Sequence, residues 1–94
     1  MTLSNVKSFD LAGITFPVKY LKEVDNDPKT NGLAIPDRHE VHIRNDLDPE
    51  RAGQVFCHEL VHCILSTMNA EINDDEKFVD VFGTFLHNAL KTIK

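Results

Sequence analysis

The chain has 94 residues, 41% hydrophobic and 27% charged, with a formal charge of −5, no tryptophan and two cysteines. This composition describes one globular domain, residues 1–94, near the lower end of what folds without staples. The ten Lys/Arg residues are scattered singly, so no basic surface for nucleic acid forms. No stretch approaches the roughly 20 apolar residues of a membrane span.

The first half reads as β. Residues 6–11 and 15–21 are short runs of β-formers joined by Ala12-Gly13, a hairpin turn. Pro17 demotes the second run to an edge strand or marks an irregularity in it. Residues 25–32 are dense in turn formers and read as a loop, followed by a short strand over 33–35. Val41-His42-Ile43-Arg44 alternates apolar and polar side chains, which predicts a strand with one buried face and an exposed His42. His39 flanks the same strand.

The second half reads as α. Asp48-Pro49 is a helix start, with Asp as N-cap and Pro at the first helical position, and the helix should run over 49–67. Residues 69–73 connect it to a second helix, from about residue 74 to the end, with Asn73 as N-cap. Phe78, Val79, Phe82, Phe85, Leu86, Ala89, Leu90 and Ile93 follow 3/4 spacing and predict a wide buried stripe. So short a connector implies an antiparallel helix pair. The fold class is therefore α+β: a twisted sheet of three or four strands on two helices.

Residues 56–65 read Phe-Cys-His-Glu-Leu-Val-His-Cys-Ile-Leu. His58-Glu59-x-x-His62 inside this apolar helix places two imidazoles on one face, with Cβ atoms roughly 5–6 Å apart. Two imidazoles so placed can converge on one Zn²⁺, and Glu59 can act as general base toward an attacking water. Histidines and a glutamate in apolar surroundings are costly unless something satisfies them, and a metal does. Cys57 and Cys63 lie about 9 Å apart along the helix axis, too far for a disulfide. Two unpaired thiols predict a reducing compartment. The N-terminus also lacks the apolar core of a signal peptide, so the expected location is cytoplasmic.

A catalytic zinc has three protein ligands and an open position. Glu76, 14 residues beyond His62, is the expected third ligand, with Asp80 or Asp75 as substitutes. Asp80, one turn further, is placed to accept a hydrogen bond from a liganding imidazole, and Gly83 on the same stripe lets the two helices approach closely. Glu76 also stands three residues after Asn73, where a glutamate can cap its own helix. His87 reads as a solvated helical residue, although it lies within reach of the site. Tyr20, the only tyrosine, is a candidate oxyanion donor.

His58-Glu59-Leu60-Val61-His62 followed by Glu76-Lys77-Phe78-Val79-Asp80 resembles the gluzincin arrangement, H-E-x-x-H then E-x-x-x-D. In size and element order, over residues 13–90, the chain is similar to minigluzincins and to small phage metallopeptidase-like proteins. The resemblance implies a zinc-dependent peptidase that holds an extended peptide or protein substrate along an edge strand at 41–44. It lacks the second subdomain with which larger gluzincins supply a transition-state-stabilising His or Tyr. Two other functions fit the same residues. One is a non-catalytic zinc domain of a phage or mobile-element regulator, its site closed by Cys57 or Asp75. The other is a latent peptidase whose residues 88–94 cover their own cleft.

Overall fold

The computed structural model describes residues 3–94. Four strands, β1 (Ser8–Leu11), β2 (Ile14–Leu21), β3 (Gly32–Ile35) and β4 (Glu40–Arg44), precede two helices, α1 (Pro49–Thr67) and α2 (Glu76–Thr92). The protein is α+β, with a mixed sheet in the order β1-β2-β4-β3 packed on the helices. Phe16, Val18, Val41 and Ile43 from the sheet meet Val55, Phe56, Cys57 and Cys63 from α1 in the core. The alternation along β4 turns Val41 and Ile43 to one face, where both are fully buried against the core.

The sheet order corrects the expectation that residues 41–44 form an edge. β4 pairs in parallel with β2 and antiparallel with β3, so the free edge beside α1 belongs to β3. β2 is not an edge either. Residues Ile14 to Pro17 pair with β1, and Val18 to Leu21 pair with β4. Val18 N–H donates to Lys7 O at 2.9 Å. Ladder alternation then turns the nitrogen of Pro17 away from β1, toward β4, whose pairing with β2 starts only at Val18. The missing donor of Pro17 falls where no partner needs it, at the residue where β2 changes neighbours.

The hairpin turn at Ala12-Gly13 has φ of 51° and 79°, the two left-handed residues of a type I′ connection. Asp48 caps α1 by accepting from Arg51 N–H at 2.9 Å, with Pro49 opening the helix. At the next start Asp75, not Asn73, is the cap, accepting from Phe78 N–H at 3.0 Å. The connector before it forms a 3₁₀ turn, Glu71–Asp74.

α2 runs antiparallel to α1. Contacts pair His62 with Glu76, His58 with Gly83, Gly53 with His87 and Glu50 with Lys91. Its buried face is narrow and made of Val79, Gly83 and His87, at i, i+4, i+8. The broad aromatic stripe expected to be buried is largely in solvent: Phe82 is 50% and Phe85 70% exposed. Small residues let the backbones touch, so the large side chains on the neighbouring stripe have nothing beneath them. His87, expected in solvent, is 5% exposed and lies against Gly53. His42 is likewise not exposed, since its side chain retains 15% of its surface and Nε2 stands 3.4 Å from Glu40 Oε2.

Candidate metal centre

α1 carries His58 and His62 one turn apart, with ring centroids separated by 5.0 Å. Their Nε2 atoms face one carboxylate, that of Glu76 at the start of α2, at 3.3 Å and 2.9 Å. Two ligands about 2.1 Å from one tetrahedral ion stand about 3.4 Å apart, so these separations suit a shared centre. His58, Glu59 and His62 also offer ligand atoms within 4.8 Å of one another.

The outward nitrogens are engaged as well. His62 Nδ1 lies 2.8 Å from Asn73 Oδ1, and His58 Nδ1 lies 3.5 Å from Asp80 Oδ1. Asn73 Oδ1 at His62 Nδ1 favours the tautomer whose Nε2 lone pair points inward, while Asp80 stands at ion-pair distance from the same nitrogen of His58. Side chains so gathered could hold a metal ion. The donor set of two imidazoles and a carboxylate suits a borderline metal such as zinc. Asn73 escaped sequence reading because an asparagine before a run of acids is the signature of a helix cap. The 3₁₀ turn gives it a different task.

Two glycines set the walls. A Cβ at Gly83 would stand 3.1 Å from His58 Cα, so α2 rests directly on the histidine's backbone. A Cβ at Gly32 would overlap Val55 Cγ1 and approach Glu59 Oε2 to 3.2 Å, so β3 lies equally close on the other side. Glu59 fills this gap. It is 7% exposed, and its carboxylate accepts a hydrogen bond from the Ala34 backbone of β3. Burial pushes its pKa up; His58 and His62 oppose that, Glu76 reinforces it and the Ala34 bond opposes it. By sequence Gly32 is a turn residue, and only the sheet order reveals its contact with α1.

Cavities open on both sides of Glu59. One of about 370 Å³ reaches Ala34, Pro36, His62, Asn73 and Glu76. The other, about 240 Å³, reaches Asn31, Arg51, Gln54, Asp80 and Thr84. The remaining candidates lie elsewhere. The Tyr20 hydroxyl donates to Val6 O at 2.8 Å and lines a recess with Arg44 and Leu47, away from the histidines. Cys57 and Cys63 are free and buried in the core, and desolvation pushes their thiols up to about 11 and about 12. Asp75 is occupied as a cap. Residues 88–92 continue α2 along the opening turns of α1, where Lys91 donates to Glu50, and line neither cavity.

Among the described residues no helix is long and apolar enough to cross a membrane. Compared with known proteins, the chain matches no family model, no curated protein and no solved structure.

Proposed function

We propose that this chain is a zinc-dependent peptidase of the minigluzincin type, with His58, His62 and Glu76 as metal ligands and Glu59 as general base. One observation carries the reading: both Nε2 atoms of the motif helix face a carboxylate from a second helix, and both outward nitrogens meet oxygen acceptors. When bound, zinc supplies a Lewis acid that polarises the scissile carbonyl and makes water more acidic. Glu59 takes the proton from the attacking water and delivers it to the leaving amine. Desolvation raises its pKa, which strengthens it as a base near neutral pH. The Ala34 N–H steers its carboxylate. Cys57 lies in the core and Asp75 caps α2, so neither closes the site, which supports a catalytic rather than a structural centre.

The substrate strand is β3 rather than residues 41–44. Arg44 N–H donates to Asn31 O at 2.9 Å, and alternation from that pair turns the polar backbone groups of Gly32 and Ala34 outward; with the Ala34 N–H given to Glu59, the Gly32 N–H and the two carbonyls are left for a partner. An extended peptide adds there as a further strand above the two histidines.

Zinc quantitation on wild type and His58→Ala, with cleavage of a peptide library, tests the reading. One equivalent of zinc lost in the variant, and cleavage abolished by Glu59→Gln with zinc retained, are expected. Less than half an equivalent in wild type purified with zinc would overturn it.

A further inference from the structure

The smaller cavity beside Glu59 bears on substrate choice, and the inference below rests on the peptidase reading. Its floor is one stripe of α1, Arg51, Gln54, Val55 and His58, and its walls are Asn31-Gly32 of the β3 side and Asp80 and Thr84 of α2. Most of the lining that a ligand meets is polar. Arg51 is the only cation among the lining residues.

The guanidinium is held toward this space. Arg51 Nη1 donates to Gln54 Oε1 at 3.3 Å, one turn further along α1 toward the histidines. Among the described residues no ion pair ties it to a carboxylate, whereas its neighbour Glu50 is held by Lys91. Asp48 spends its carboxylate on the Arg51 backbone N–H as the helix cap. Two acids also line the cavity: Glu59 beside the histidines, and Asp80 across from Arg51, with Oδ1 3.5 Å from His58 Nδ1. The cavity thus has a negative end engaged by a histidine and a positive end with donors to spare.

The direction of the peptide belongs to the inference: we place it antiparallel to β3, as β4 pairs on the other side. A strand added antiparallel to β3 runs opposite to it, so its residues pass Ala34 first and Gly32 and Asn31 afterwards. The residue after the scissile bond then lies over the cavity that ends at Arg51. We propose that Arg51 determines specificity there, so that the enzyme cuts before a residue carrying a carboxylate. Both an Asp or Glu side chain and the free C-terminus of a peptide present that group. A guanidinium binds it through paired, charge-assisted N–H donors.

The test uses zinc-loaded full-length protein and internally quenched hexapeptides that differ only after the scissile bond: Glu, Leu or Lys. A shorter pair ends at that residue as free acid or amide. Cleavage by wild type is read beside binding to zinc-loaded Glu59→Gln by fluorescence anisotropy. The expected result is a preference of about tenfold for Glu over Leu, lost in Arg51→Gln and turned toward Lys in Arg51→Glu. The shorter pair tells side chain from terminus. Equal handling of Glu and Leu, with cleavage intact, overturns the inference and leaves the peptidase reading standing. A preference for Lys overturns it too and assigns the cavity to Asp80. Neither cleavage nor binding of any peptide overturns both. Zinc content and melting temperature of each Arg51 variant separate a specificity change from misfolding.

Discussion

Glu76 and Asp80 stand one turn apart on α2, and their reach divides their tasks. Glu76 faces both Nε2 atoms, while Asp80 faces only the Nδ1 of His58. Glu76→Ala should therefore abolish stoichiometric zinc binding in a competition titration. Asp80→Ala should keep the site and lose about 10–100-fold in zinc affinity or activity, the usual cost of releasing a ligand's hydrogen-bond partner. Asn73→Ala belongs with Asp80→Ala, because Asn73 holds His62 as Asp80 holds His58. Asp80→Ala losing more zinc than Glu76→Ala would exchange the two roles.

Between helices, the narrow contact of α2 makes a counterintuitive forecast. Phe85→Ser removes a large apolar side chain that is 70% exposed, and should change stability by less than about 1 kcal/mol. Val79→Ala removes only two methyl groups but from a fully buried position, and should cost about 1–3 kcal/mol. Urea denaturation of the two variants checks the order. Gly83→Ala tests the same interface at the site. Its methyl would press on His58 Cα at 3.1 Å, and the backbone of a packed helix cannot yield cheaply. Weaker zinc binding with the fold retained is expected; wild-type affinity would mean that α2 moves freely.

For the molecule as a whole, the proposed ligands come from both α1 and α2, and on that reading metal binding would be tied to folding. A metal at about 1,000 times its dissociation constant adds about 4 kcal/mol of stability, worth more than about 10 °C in melting temperature for a domain of this size. Chelation should produce that drop on calorimetry, and His58→Ala should be insensitive to it. At the other end of the pH scale the two core thiols act against the fold. Burial raises them from 9.0 to about 11 and about 12. Above pH 9 the unfolded chain releases protons that the folded one keeps, so stability falls as pH rises toward those values. The urea midpoint should be lower at pH 10 than at pH 8, and the difference should shrink in Cys57→Ala/Cys63→Ala. An unchanged difference would place the alkaline weakness elsewhere.

Much of this was legible along the chain. Asp48-Pro49, Ala12-Gly13 and the spacing from His58 to His62 are local signals, set by backbone dihedrals and a helical repeat that need no partner. They sufficed for the bounds of α1, the first hairpin, the α+β class and the histidine face. What depended on neighbours was not legible. Whether residues 41–44 form an edge or the centre of the sheet turns on which strand pairs beside them, a long-range choice that alternation leaves open. Which face of α2 is buried was decided by Gly53 and Gly83, because close backbone contact displaced the larger apolar stripe. Asn73, a cap by sequence, became the partner of His62 once the 3₁₀ turn carried it back over α1. Local patterns set the elements and their chemistry; packing decided which side chains meet, since burial and hydrogen bonding are settled between elements and not within them.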